Sequence, residues 1–303
     1  MKTKISVLSL FLLLLPLFAQ AQTKRALVIG LGEQLDPTWR KIHGDKDVTV
    51  VCNMLKRHGF SNRNILTLVN SQATKSGIMS GFKRLRQQSK PGDIVYIHFS
   101  GHGQQMTDVN GDERGRRSEG DNDRLDESWV PYDAFFAYGP QDRGEKHLSD
   151  DELSRELTAL RQQVGNRGKI LVVVDACHSG GGTRHLATEV ADSTDAGGIR
   201  GCWENFKIPH RGAKRSGARP EEAWITLSAC KSYQSNEEMQ GSKIGRLTHN
   251  LCTIINEGKR LDNGKLLATL TEYYNRKPGY RVCSQTPTMT GATTWFNICS
   301  IFF

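Results

Sequence analysis

The run Asp93-Ile-Val-Tyr-Ile-His-Phe-Ser-Gly-His-Gly103 decides the fold class of this chain. Pro91-Gly92 breaks the chain before it, and Asp93 to Phe99 then reads as a strand, rich in β-branched and aromatic residues and closed by a glycine motif. A second run of the same build, Lys169-Ile-Leu-Val-Val-Val-Asp-Ala-Cys-His-Ser-Gly180, holds the continuously apolar strand Ile170 to Val174. A strand without polar alternation is covered on both faces, as in parallel sheets. Each strand ends in a reactive residue with glycine close by, His102 after the first and Cys177 after the second. Open α/β sheets place their ligands beyond the carboxyl ends of their strands.

Working outward, the same rhythm repeats. Ala26 to Ile29 reads as a strand, followed by a helix from about Asp45 to Arg57 with Val48, Val51 and Leu55 on one face and Gly59 as its stop. Ile65 to Val69 is a strand, and Thr74 to Gln88 a helix carrying Ile78, Phe82 and Leu85. Ser149 followed by Glu152 makes a capping box ahead of the stripe Leu153, Leu157 and Leu160. Ala223 to Leu227 reads as a strand, with helices at about Leu247 to Asn256 and Lys265 to Tyr274 after it. Strands alternating with helices predict an α/β fold with a mostly parallel central sheet flanked by helices. Two stretches fall outside this rhythm, the acidic run Thr107 to Glu127 and the Gly-rich basic run Gly180 to Glu222. Loops of this length are usually functional or disordered.

The two motifs supply a nucleophile and its base. A thiol attacks as thiolate, and a nearby imidazole can hold or move its proton. The tetrahedral oxyanion needs donors, and the backbone N–H groups of Gly103 and Cys177 are candidates. A lone cysteine after an apolar strand is normally a packed core thiol; two glycine-bounded motifs at two strand ends favour catalysis over that reading. His98 falls inside a strand, and His178 lies too close along the chain to be the obvious base. A dinucleotide site is disfavoured, because Gly30-Leu31-Gly32 lacks a third, properly spaced glycine.

Together, Ser-Gly-His-Gly and Asp-Ala-Cys-His-Ser-Gly resemble the caspase-like cysteine peptidases, specifically the metacaspases and their bacterial relatives (clan CD). The resemblance covers roughly Lys24 to Gln240, including Asp45 in the first helix region, Asp126 to Asp133, and Ser228-Ala229-Cys230. It implies a caspase-like α/β/α sandwich with His102 as general base and acid and Cys177 as nucleophile. It also implies that Ser100 and Asp175 line an acidic S1 pocket. The physical reading agrees, since a carboxylate at a pocket floor favours arginine or lysine; Asp175 could equally cap the turn beyond its strand. Large-subunit-like (about 24–182) and small-subunit-like (about 223–303) portions would flank a basic loop at about 183–222. Arg184, Arg200, Arg211, Arg215 and Arg219 lie in or near that loop, where a basic-specific site could process its own chain. A catalytically silent peptide-binding module, and a clostripain- or gingipain-like peptidase with the same dyad, are the competing readings.

Calcium is the one candidate cofactor. The resemblance points to Asp126, Asp150 and Asp151 as its ligands, while the family's further aspartate falls near Thr183 or Arg184 here. Asp150 and Asp151 also suit a helix N-terminus without any metal. Asp108, Asn110, Asp112 and Glu119 match part of an EF-hand loop, but Glu113 stands where glycine is wanted.

Residues 1–21 read as a signal peptide, with Lys2 and Lys4, an apolar run from Ile5 to Phe18, and Ala19-Gln20-Ala21. Export to a periplasm or the exterior, with no stable membrane insertion after removal of the signal, is the expectation, leaving residues 22–303 as the peptidase domain. The net charge of +9 is scattered without the interleaved aromatics of a nucleic-acid surface, so the expected partner is a polypeptide substrate. The seven cysteines form no CxxC pair, and an odd count in an oxidising compartment leaves at least one thiol unpaired. Cys52, on the apolar side of its helix, is expected to be a plain buried thiol.

Overall fold

Side-chain alternation along the strands builds a sheet with two apolar faces. A computed structural model describes residues 22–111, 125–177, 198–202, 204–209, 222–232, 234–275 and 285–303. Strands β1 (Lys24–Gly30), β2 (Ile65–Val69), β3 (Ile94–Ser100), β7 (Lys169–Asp175), β8 (Ile225–Ser228) and β9 (Thr288–Gly291) form one sheet in the order β2-β1-β3-β7-β8-β9. Every pairing is parallel except β8 with β9. Ala26, Val28, Tyr96, Leu171 and Val173 face helices α1 (Gly44–Arg57), α4 (Arg246–Asn256) and α5 (Asn263–Asn275). Leu27, Ile29, Val95, Ile97, Ile170 and Val172 face α2 (Lys75–Gln88) and α3 (Asp150–Val164). The expected helix–sheet–helix layering is present.

Local signals hold at the helix ends. Thr74 accepts the Gly77 N–H at 3.0 Å to cap α2, and Ser149 and Glu152 close the capping box of α3. Cys52 lies on the buried face of α1, in the core, as its position on the apolar face requires. Among the described residues, six cysteines are free thiols, and no helix is long and apolar enough to cross a membrane.

The sequence reading missed a second, antiparallel sheet of β4 (Gly103–Thr107), β5 (Leu125–Trp129) and β6 (Leu148–Ser149). Its core-facing positions are partly polar, so no apolar alternation marks it. Gln104 is buried because its Nε2 donates to the carbonyls of Phe136 (3.0 Å) and Glu204 (2.9 Å) while its Oε1 pairs with His147 Nε2 at 2.7 Å. The final strand β9 was also missed, being four residues long at the sheet edge. Residues 204–209 leave the expected basic loop to lie along β4, where the Phe206 N–H donates to the Gln105 carbonyl at 2.8 Å.

Candidate active site

Strand register brings the two motifs together. β3 and β7 are hydrogen-bonded neighbours in which Ser100 pairs with Asp175, so His102 and Cys177 each lie two residues beyond a matched pair of strand ends. Adjacent strands run about 4.8 Å apart, which brings the two backbones side by side. The chain goes from β1 outward to β2, then returns to β3 on the other side of β1, so the carboxyl ends of β1 and β3 flank the crevice where such sheets bind ligands.

His102 is buried and held by two groups the sequence reading did not name. Its ring stacks on Trp39 at 5.2 Å between centroids, and its Nε2 lies 2.7 Å from the Arg40 carbonyl oxygen. A carbonyl only accepts, so Nε2 carries the proton and Nδ1 is the basic nitrogen. Nδ1 has no hydrogen-bond partner among the described residues. Burial, reinforced by the Arg200 charge and opposed by the Arg40 carbonyl, lowers the imidazole pKa from 6.5 to about 4. It is therefore a neutral base at ordinary pH.

The Cys177 thiol donates to the Gln234 carbonyl, and the Cys177 backbone N–H donates to the Arg200 carbonyl at 2.8 Å. The Gln234 side chain is pinned by the backbone N–H groups of Lys231 (3.1 Å) and Thr286 (2.9 Å). Cys230 sits beside Cys177; contact with the Cys177 sulfur, together with burial, holds the Cys230 thiol pKa well above the ordinary value. Gly103, the other expected oxyanion donor, opens β4 opposite Trp129.

Next to Cys177 lies a buried cluster of carboxylates. Asp47, Asp175 and Glu238 converge on one fully buried guanidinium, that of Arg200. Nη1 of Arg200 donates to Asp47 at 2.6 Å and lies 3.5 Å from Asp175 Oδ1, and its Nε and Nη2 both donate to Glu238 at 3.2 Å. Burial alone would depress the Arg200 pKa, but the Asp47, Asp175 and Glu238 carboxylates outweigh it and raise it.

The carboxylates are themselves tightly placed. Asp175 accepts from Asn236 Nδ2 at 2.7 Å, and from the Thr248 N–H at 2.7 Å and hydroxyl at 2.6 Å. Asp47 accepts from the Gly245 N–H at 3.0 Å. Gly245 and Thr248 stand at the start of α4, so the positive end of that helix faces both acids. A Cβ at Gly245 would lie 2.2 Å from Asp175 Oδ2 and 2.3 Å from Arg200 Nη1, so only glycine leaves the pocket open there.

Ser100 reaches the pocket through Asp47, to which its hydroxyl donates at 2.7 Å. Having used its proton, that hydroxyl accepts from His98 Nε2 at 2.9 Å, and His98 Nδ1 accepts from the Tyr96 hydroxyl at 3.1 Å. His98 is thus a neutral link inside β3, and burial lowers its pKa to about 4. Asp45 lies in the first helix as expected, but it is Asp47 whose carboxylate enters the pocket.

The chain matches the caspase domain family model over residues 23–295. It belongs to the caspase domain family. Among curated proteins, this caspase-domain chain is 28% identical over 181 residues to Metacaspase-7 of Arabidopsis thaliana, a match covering 56% of this chain and 38% of that protein. It is 30% identical over 166 residues to Metacaspase-1B of Aspergillus fumigatus, covering 52% and 35% respectively. The chain thus spans well under half the length of these relatives. Caspase-1 from Spodoptera frugiperda shares the fold at a TM-score of 0.56, with 12% identity over 89% of this chain and 86% of that one. A Geobacter sulfurreducens protein gives a TM-score of 0.59, with 20% identity over 89% and 93%. The family's chemistry is that of cysteine-type peptidases.

The expected calcium ligands do not form a cage among the described residues. Asp126 is buried in β5, while Asp150 and Asp151 begin α3, where Asp151 accepts from the Asn110 side chain. No three His, Cys, Asp or Glu side chains group there to hold a metal, whereas calcium takes 6–8 oxygens. Asp112, Glu113, Glu119, Thr183 and Arg184 lie outside the described residues, as do His178 and residues 1–21.

The two depressed histidines predict an acid-labile fold. Each stays neutral in the folded chain down to about pH 4, while the unfolded chain protonates near 6.5. Between those values the unfolded state binds more protons, so stability falls as pH falls, by about 3 kcal/mol for each histidine across the window. Thermal melts of the Cys177→Ala protein should show a midpoint drop of roughly 10 °C from pH 7 to pH 4, reduced by about half in Cys177→Ala/His98→Gln. A midpoint that stays flat across this range would refute the buried neutral histidines.

Proposed function

We propose that this chain is a cysteine endopeptidase that hydrolyses peptide bonds after arginine or lysine, using Cys177 and His102. The observation that carries the specificity is the gathering of Asp47, Asp175 and Glu238 around a buried guanidinium beside the nucleophile. Three carboxylates in a desolvated pocket require a cation, and arginine fits best because its planar fork can bond several of them at once. Aspartate in the same place would add a fourth negative charge.

In this reading, His102 Nδ1 takes the Cys177 proton and the thiolate attacks the substrate carbonyl. The Arg40 carbonyl holds Nε2–H and steadies the imidazolium. The Cys177 N–H, with that of Gly103, receives the developing oxyanion. Nδ1 then protonates the leaving amine, and water hydrolyses the acyl-enzyme. The signal-like residues 1–21 lead us to assign this activity to an exported protein.

The test is hydrolysis of matched fluorogenic peptides ending in Arg, Lys or Asp by wild type and Cys177→Ala, with calcium and then with chelator. Wild type is expected to prefer Arg or Lys over Asp by at least roughly 10²-fold, with no turnover by the variant. Cleavage after Asp alone would overturn the pocket assignment. No cleavage of any peptide in either condition would overturn the peptidase reading and favour a silent peptide-binding module.

A further inference from the structure

Two thiols from neighbouring strands converge on one carbonyl oxygen. Cys177 and Cys230 both donate to the Gln234 carbonyl, the second at 3.4 Å. Strand register explains the meeting. β7 and β8 run parallel with Val174 opposite Ser228, and past the last pair the Ala229 N–H still donates to the Val174 carbonyl at 3.0 Å. Cys230 Sγ then lies 3.8 Å from the carbonyl oxygen of Ala176, the residue before Cys177. Adjacent strands run about 4.8 Å apart, within the Cα separation of about 4.4–6.8 Å that a disulfide spans. The turn Lys231–Gln234 is closed by the Gln234 N–H on the Lys231 carbonyl at 2.9 Å and presents its own carbonyl to both sulfurs. Cys202, also buried, is engaged elsewhere: its sulfur accepts from Gln104 Nε2 at 3.3 Å and from the Glu204 N–H at 3.4 Å.

We propose that Cys177 and Cys230 are a reversible redox pair, oxidised by a small-molecule disulfide to an intramolecular bond and restored by thiols. In the first step the Cys177 thiolate attacks one sulfur of the external disulfide, forming a mixed disulfide and expelling a thiolate that takes up the Cys177 proton. In the second, Cys230 attacks the Cys177 sulfur as its own proton passes to the second departing thiolate. The two cysteines lose two electrons and two protons, and the external disulfide becomes two thiols. Contact with the Cys177 sulfur is the main cause of the raised Cys230 pKa, and a mixed disulfide at Cys177 carries no charge, so the first step removes the restraint on the second. Oxidation also takes both S–H donors away from the Gln234 carbonyl, a cost that favours re-reduction. Residues 1–21, read as a signal peptide, point to an oxidising compartment in which such chemistry takes place. That the bond switches off hydrolysis rests on the peptidase reading above; the thiol chemistry itself does not.

The experiment equilibrates the folded full chain with oxidised and reduced glutathione, blocks remaining thiols, and maps disulfides by peptide mass, with hydrolysis of an Arg-ending fluorogenic peptide measured in parallel. Wild type should lose two hydrogens without gaining glutathione and yield a linked Cys177–Cys230 peptide, its hydrolysis lost and then recovered with dithiothreitol. Cys230→Ser should instead carry one glutathione on Cys177. At a fixed ratio of oxidised to reduced glutathione, tenfold dilution of the pool should raise the oxidised-to-reduced ratio of wild type roughly tenfold, because closure releases two thiols. The same dilution should leave Cys230→Ser unchanged, because a mixed disulfide releases one. A stable glutathione adduct on wild-type Cys177, a Cys177–Cys202 link, or thiols that stay reduced would each overturn the inference. A linked Cys177–Cys230 peptide in a protein that hydrolyses no peptide would uphold the redox pair and overturn the peptidase reading. Should Cys230→Ser fail to fold, the linked peptide and the dilution response of wild type decide alone.

Discussion

Cys177→Ala and His102→Ala are each expected to lower kcat on an Arg-ending peptide by roughly 10⁴-fold or more, with the double variant no slower than either single one. In the proposed mechanism the two groups act as one device, since the thiol without a base remains protonated and the base without a thiol has nothing to activate. The starting geometry sharpens this expectation, because the Cys177 proton is directed at the Gln234 carbonyl and must be withdrawn by His102 Nδ1. Both side chains are 1% exposed, so bulk hydroxide has little access to take that proton instead. Steady-state kinetics on the three variants, with folding checked by thermal melts, measure the effect. Additive losses would show that His102 acts independently of the thiol.

Asp175→Asn should reduce kcat/KM for an Arg-ending peptide by roughly 10²–10³-fold, which corresponds to about 3–4 kcal/mol, the scale of breaking a buried ion pair. Every group facing Asp175 is a donor: the Asn236 amide, the Thr248 N–H and hydroxyl, and the Arg200 guanidinium. An amide NH₂ in place of one oxygen confronts donor with donor and removes one of three pocket charges. The loss should be concentrated in KM for cationic substrates, so the preference for Arg over an uncharged residue should shrink. A purely structural role would lower the melting temperature and leave that preference unchanged.

Much of this was legible along the chain because the signals are local. The apolar runs of β3 and β7, the capping box at Ser149 and Glu152, and the α1 stripe of Val48, Val51 and Leu55 all depend on residues a few positions apart. The two motifs sit at the ends of recognisable strands, so His102 and Cys177 could be named as a pair before their strands were known to be neighbours. The pocket was less legible. Asp175 could be named from its place beside Cys177, but Asp47 and Glu238 come from a helix and a bridged extended segment far away in sequence. A glutamate in the polar run Ser235 to Gln240 looks like any solvated acid until the fold closes over it. Trp39 and Arg40 carried no signal either, since a loop carbonyl is identical in every residue and only its position makes it the anchor of His102.

The antiparallel sheet of β4, β5 and β6 escaped because the buried Gln104 is satisfied by partners as distant as Glu204, and hydrogen-bond satisfaction leaves no periodicity. The basic loop marks the division between the two kinds of information. Sequence alone determined the fold class and named a candidate pair and a set of arginines near it, because strand pattern, glycine placement and charge are written in contiguous residues. Only the tertiary structure decided which carboxylates form the pocket and that Arg200 fills it. That choice depends on strand register, on the α4 N-terminus facing two acids, and on antiparallel pairing between segments almost 40 residues apart. A buried charge finds its partners through the packing of the whole chain, and its neighbours in sequence do not encode them.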